Sequence, residues 1–184
     1  MGRDKALLPW AGGTLLDAAV ARLARVAAEV AILVGRSERY AGRPERRVAD
    51  VLGDAGALGG VYSGLCATER PLGLFLAVDL PFVPEALLRH LIGGADGVDA
   101  VVPVSPRGAE PLCAVYARSC RDPIRRRLDS GERRMSCFWP DVRVRQVGPD
   151  ELRRFGDPGR LFQNLNTSAD YDAARREPGE DPGG

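Results

Sequence analysis

Leu74-Phe75-Leu76-Ala77-Val78-Asp79-Leu80-Pro81-Phe82 is the stretch whose reading sets the fold. An unbroken apolar run of strand length, with no polar alternation, predicts a strand buried on both faces of a parallel sheet. A buried helix is the competing reading, but the run is short and Pro81 closes it. At the carboxyl end of such a strand, Asp79 points into the crevice where open α/β sheets bind ligands. A carboxylate there suits Mg2+, which is typically held by one or two carboxylates plus substrate phosphates. An ordinary aspartate capping a turn or helix fits the same position, and these residues alone leave both readings open.

Working towards the N-terminus, Gly53-Asp54-Ala55-Gly56-Ala57-Leu58-Gly59-Gly60 reads as a loop poor in side chains, followed by a helix over 61–68. Such loops let backbone N–H groups approach anionic or planar ligands, although a tight turn explains them equally. Before the loop, a weak strand over 46–49 ends at Asp50, and a stronger one covers 30–34. Thr14 and Asp17 form a variant capping box for an amphipathic helix over 15–28. The chain opens with a short glycine-containing loop that carries Lys5.

Towards the C-terminus, Pro84 opens a helix to about residue 92. Strands follow over 99–104 and 112–117, joined by a loop over 107–111. Asp122-Pro123 starts a helix to 128, with Asp122 as N-cap. Arg133 and Arg134 sit on a basic turn, and 142–147 alternates as a half-exposed strand near an edge. A last helix covers 168–176. The tail over 177–184 is Pro, Gly and acid, hence disordered. The alternation of strands and helices predicts one α/β domain over 1–176 with a mostly parallel sheet.

Composition narrows the function. The 184 residues are 45% hydrophobic and 28% charged, with a net charge of +1, so nothing points to nucleic acid or an anionic membrane surface. No apolar run approaches the ~20 residues that span a bilayer, and no signal peptide opens the chain. Cys66, Cys113, Cys120 and Cys137 form no C-x-x-C pair and read as reduced cytosolic thiols. His90, the one histidine, falls among charged and apolar neighbours, which argues against a Ser-His-Asp or Cys-His hydrolase.

The 26 basic residues include one lysine, Lys5, and the chain has two asparagines, Asn164 and Asn166. A bias against Lys and Asn this strong marks the survivors. An ammonium is a compact point charge that guanidinium does not replace. Asn164 and Asn166, two apart on an extended segment, face the same side.

Together these motifs resemble the molybdenum cofactor guanylyltransferases, within the nucleotidyltransferases of Rossmann-like fold. The resemblance rests on Met1-Gly2-Arg3-Asp4-Lys5-Ala6-Leu7-Leu8, on Asp50 followed by Gly56-Ala57-Leu58-Gly59-Gly60, and on Val78-Asp79-Leu80-Pro81-Phe82. It continues through Glu110-Pro111-Leu112-Cys113-Ala114-Val115-Tyr116, Gly131-Glu132-Arg133-Arg134 and the segment from Phe162 to Asn166-Thr167. It spans nearly the whole chain except the tail. It implies a three-layer α/β/α sandwich, transfer of GMP from GTP to molybdopterin with Mg2+, and release of pyrophosphate. Lys5 and Asp79 would be catalytic, Asp79 holding the metal and Lys5 pairing with phosphate oxygens. Asp50 would accept from guanine's N1–H and N2–H or from a ribose hydroxyl. Gly59 belongs to the nucleotide loop, Asn164 and Asn166 lie near metal and pterin, and Arg133 and Arg134 would bind the pterin phosphate. The partners implied are small molecules and proteins that insert molybdenum or mature molybdoenzymes, in the cytoplasm.

The chain departs from the family in one respect. The family opens with a strand and a Leu-Ala-Gly-Gly phosphate loop, whereas Met1 here coincides with an internal methionine of the motif. The expectation is an N-terminally truncated chain lacking a central strand and the triphosphate loop, weakly stable and poorly active. Three other readings remain: a cytidylyltransferase for the same cofactor, a non-catalytic nucleotide- or pterin-binding remnant, and a sugar-nucleotide glycosyltransferase. The last is disfavoured because Leu80-Pro81, not a second Asp, follows Asp79.

Overall fold

The computed structural model describes residues 4–35, 39–53, 55–165 and 171. Asp4 caps a single 3-10 turn, Lys5–Leu7, its carboxylate accepting from the Ala6 amide at 3.1 Å. Strands β1 (Pro9–Trp10) and β2 (Gly13–Thr14) form a small hairpin. Its tip, Ala11-Gly12, has φ of 46° and 80°, the positive pair that two-residue hairpins favour. Helix α1 (Leu15–Ala24) then starts from the expected capping box. The Thr14 hydroxyl accepts from the Asp17 amide, and the Asp17 carboxylate accepts from the Thr14 amide at 2.8 Å.

Strand β3 (Ala31–Gly35) pairs in parallel with β4 (Arg46–Ala49). Helix α2 (Gly56–Ala67) leads to β5 (Leu72–Leu76), and α3 (Glu85–Gly93) leads to β6 (Ala100–Ser105). The stub β7 (Gly108–Ala109) and β8 (Cys113–Ala117) follow, then α4 (Arg121–Asp129), β9 (Val144–Val147), α5 (Pro149–Leu152) and α6 (Pro158–Leu161). In the main sheet β8 lies between β5 and β6, and β9 flanks β6 on its other side. The expected strand over 142–147 is therefore an edge strand.

Strand alternation builds three layers. Leu74, Val115 and Val101 pack on one side with Leu87, Leu88 and Leu91 of α3. Phe75, Tyr116 and Val102 pack on the other with Leu58, Val61 and Leu65 of α2 and Ile124 and Leu128 of α4. The α/β class and the sandwich stand. The mostly parallel sheet stands in part: β5, β6 and β9 run the same way and β3 is parallel to β4, but β8 lies antiparallel between β5 and β6. The cause is covalent. Residues 106–112 are too few for a crossover, which needs a dozen or more, so the chain returns antiparallel.

Three local expectations also change. Gly56–Gly60 are the first turns of α2 rather than a loop. Asp122 lies inside the first turn of α4, and the N-cap is Cys120. All five residues of β5 are half-buried instead of buried on both faces. The reason is a cavity of about 920 Å³ lined by Ile32 and Leu33 of β3, by Leu74, Phe75 and Leu76 of β5, and by α1 and α2. Among the described residues no strand lies between β3 and β5. Helix α2 packs on both. The last helix over 168–176 and the tail lie outside the described residues, Tyr171 excepted.

Cys66, Cys113, Cys120 and Cys137 are all free, as expected. Burial pushes the Cys113 and Cys120 thiols up to about 12.

Candidate active site

The segments that carry Lys5, Asp79 and Asn164 are held together because residues beside them share two small apolar clusters. Ala6, next to Lys5, packs with Leu16, Ile32, Val34 and Val78, the last being the neighbour of Asp79. Leu165, next to Asn164, packs with Leu15, Leu8, Trp10, Phe82 and Tyr171. The Leu165 amide donates to the Asp79 carbonyl at 3.2 Å. Lys5, Asp79 and Asn164 are thus carried by segments locked to one another, and all three are half-buried. Asn166 lies outside the described residues.

The Lys5 turn has its own brace. Tyr40 donates its hydroxyl to the Asp4 carboxylate at 2.7 Å, and Arg39 reaches the same carboxylate at 3.4 Å. Burial pushes the Asp4 carboxyl up, but the hydrogen bonds from Tyr40 and the Ala6 amide and the Arg39 charge outweigh it and hold it below its ordinary range. Burial and the Asp4 charge push the Tyr40 phenol up to about 12.

Asp50 enters from β4. Its amide donates to the Gly35 carbonyl at 2.9 Å. Gly35 has a φ of 63°, and a Cβ built there would meet the Asp50 carboxylate at 3.9 Å. The glycine lets β3 turn away beside that side chain. Gly35, Asp50 and Val78 line the cavity between β3 and β5, so Asp50 and the residue before Asp79 face a common space.

Three sequence candidates sit elsewhere or act differently. Gly59 is buried in α2, with its amide donating to the Ala55 carbonyl at 3.1 Å, so that donor is used within the helix. A Cβ on Gly59 would lie 2.3 Å from the Ala55 Cβ, which is why only glycine fits. Arg133 donates to the Leu128 carbonyl at 2.9 Å, close to the C-terminal end of α4. Arg134 is exposed beside it.

Sequence reasoning passed over Tyr40, Arg107 and Arg22. Arg107 donates to the Phe162 carbonyl and so fastens the segment that leads to Asn164. Arg22 is buried beneath the turn after Asp79. Its signal was available: Leu15, Ala19 and Arg22 fall on one helical face, and a charge on an apolar stripe needs a partner. Arg160 stacks its guanidinium 3.8 Å from the Phe82 ring centroid, and Trp10 meets the same ring edge-on at 5.6 Å.

Among the described residues no three His, Cys, Asp or Glu side chains gather into a metal cage. The oxygen donors of Asp79 and Asn164 fit a hard cation such as Mg2+, which keeps waters and draws further ligands from phosphates. Lys5 adds a point charge suited to phosphate oxygens.

A model of the MobA-like NTP transferase domain matches residues 1–141. This chain belongs to the MobA-like NTP transferase family. It is 33% identical over 175 residues to a probable molybdenum cofactor guanylyltransferase of Pelotomaculum thermopropionicum, covering 95% of this chain and 85% of that one. It is 37% identical over 162 residues to a probable molybdenum cofactor guanylyltransferase of Chloroflexus aggregans, covering 86% and 78%. Among solved structures it superposes with a TM-score of 0.79 on molybdopterin-guanine dinucleotide biosynthesis protein A of Archaeoglobus fulgidus, at 25% identity and covering 94% and 89%. The expected N-terminal truncation finds no support in these comparisons. In this MobA-like chain no helix among the described residues is long and apolar enough to cross a membrane.

Proposed function

We propose that this chain transfers GMP from GTP to the terminal phosphate of molybdopterin and releases pyrophosphate, as a cytoplasmic enzyme of molybdenum cofactor biosynthesis. The observation that carries this reading is the convergence of the Lys5, Asp79 and Asn164 segments at one end of the sheet, with Asp50 facing the adjoining cavity. Mg2+, when bound, neutralises charge on the triphosphate and orients an in-line displacement at the α-phosphorus. Asp79 is the carboxylate that would hold it. Lys5 pairs with phosphate oxygens, where a positive charge favours the departing pyrophosphate.

Asp50 accepts only, so it is matched to a ligand edge that only donates, such as guanine N1–H and N2–H or a ribose hydroxyl. Asn164 is assigned to the metal and pterin side, and Asn166, outside the described residues, is assigned there from the sequence alone. Arg134, with Arg133, supplies positive charge for the phosphate of the pterin. The single-domain reading over 1–176 belongs to the same proposal, as do protein partners that insert molybdenum or mature molybdoenzymes.

The test is product analysis after incubation with molybdopterin and Mg2+ and either GTP or CTP. The expected outcome is the guanine dinucleotide of the pterin, with GTP strongly preferred. Preference for CTP would reassign the chain to cytidylyl transfer. Nucleotide binding without pyrophosphate release would make it a binding protein.

A further inference from the structure

Three backbone carbonyls in the turn after Asp79 converge on one guanidinium. Arg22 projects from the inner face of α1 and is 8% exposed. Its Nη1 donates to the carbonyls of Leu80 at 3.1 Å, Pro81 at 2.8 Å and Val83 at 3.0 Å. Its Nε donates to the Ala18 carbonyl of its own helix at 3.0 Å, which fixes the side chain before it reaches the turn. Nη2 is buried with no hydrogen-bond partner among the described residues. Burial lowers the guanidinium's pKa to about 10, against a smaller opposing effect of Cys113, so the group remains a cation at neutral pH.

A buried cation answered by neutral carbonyls is a costly way to fill space, since an apolar side chain of similar volume packs without desolvating a charge. What it supplies is geometric. The turn is short and contains a proline, which has no N–H, so its carbonyls cannot all be satisfied by a ladder. A guanidinium is planar and points its donors in fixed directions, so it holds a turn in one shape where water would allow several. The turn so held begins at the residue after Asp79, and the Asp79 carbonyl is itself tied to the Leu165 amide.

We propose that Arg22 is a positioning residue: by gathering the carbonyls of Leu80, Pro81 and Val83 it sets the direction in which Asp79 presents its carboxylate. This rests on the reading of Asp79 as the metal-holding residue. Arg22 touches neither substrate nor metal. Its effect therefore appears in metal affinity and in the mobility of one turn.

The experiment compares the full chain with Arg22→Gln, Arg22→Lys and Asp79→Asn, at a temperature where circular dichroism shows each variant folded. Mn2+ binding in the presence of GTP is read from the electron paramagnetic resonance of free Mn2+. Hydrogen exchange of the Leu80, Phe82 and Val83 amides is read by mass spectrometry. Arg22→Gln is expected to weaken Mn2+ binding about 10- to 100-fold, the range seen when a group that orients a metal ligand is removed. Exchange in the turn accelerates in parallel. Arg22→Lys, with three donors on one ammonium, recovers part of both effects. If the Gln variant does not fold, the Lys variant carries the comparison, because a purely packing role predicts wild-type Mn2+ affinity for it. Unchanged Mn2+ affinity in a folded Arg22 variant overturns the proposal. Equal Mn2+ binding by wild type and Asp79→Asn instead overturns the metal-holding reading of Asp79. The clamp on the turn is then judged by exchange alone, faster exchange supporting it and unchanged exchange overturning it.

Discussion

The Leu165 amide donates to the Asp79 carbonyl at 3.2 Å, joining the end of the central segment to a stretch far along the chain. That bond ties the segment that carries Asn164 to the segment that carries Asp79. Asn164→Ala should lower kcat/KM for molybdopterin by about 10- to 100-fold, as losses around metal ligands do. Thermal stability should move little, because the side chain is half-buried. Steady-state kinetics with a melting curve on the same sample checks both.

Asp17 links helix capping to pH. Its carboxylate accepts from the Thr14 hydroxyl and from Arg43, each at 2.6 Å. These contacts hold its pKa below the ordinary 3.8, burial acting weakly the other way. The folded chain therefore binds fewer protons than the unfolded chain as pH falls past that value. The contribution is complete above the unfolded pKa and is lost as pH drops through the folded one. Asp17→Ala should cost about 1 kcal/mol near neutrality, the usual scale of a lost cap. The difference from wild type should shrink below pH 3.8 in urea titrations.

Adjacent glycines of α2 should respond in opposite senses. A Cβ at Gly59 meets the Ala55 Cβ at 2.3 Å, whereas one at Gly60 meets nothing closer than Leu33 at 3.9 Å. Gly59→Ala should destabilise by about 1–3 kcal/mol through overpacking. Gly60→Ala should stabilise by about 0.4–1 kcal/mol, since alanine restricts the unfolded chain and suits a helix. Chemical denaturation of both variants decides it.

The two arginines on the turn after α4 should separate. Arg133 is bonded to the Leu128 carbonyl, so Arg133→Ala should lower stability by about 0.5–1.5 kcal/mol, the worth of one hydrogen bond. Exposed Arg134→Ala should leave the melting temperature alone and raise KM for molybdopterin. A KM rise in the Arg133 variant with no loss of stability would make its charge, rather than its bond to Leu128, its main contribution.

Much of this was legible in the residues. The Thr14–Asp17 box and the edge strand at the end of the sheet follow from spacing, whereas the grouping of Lys5, Asp79 and Asn164 is what the family resemblance implies. The reversal of β8 was also readable, because the short link over 106–112 admits no crossover. Other features were hidden for physical reasons. Gly56–Gly60 look like a loop because glycine is a poor helix former, yet Gly59 leaves room for the Ala55 side chain at the helix start and Gly64 lets Phe75 of β5 come close. The half-burial of β5 depends on the cavity beside it, which no local pattern encodes. Asp50 meets Gly35 only through strand pairing.

The most direct test of the central claim is pyrophosphate release by wild type and Asp79→Asn, supplied with GTP, Mg2+ and molybdopterin. Turnover is expected of wild type, with a loss of about 10²- to 10³-fold in the variant, the scale of removing one group that stabilises transition-state charge. Equal rates in the two proteins, or no release by wild type, would contradict it.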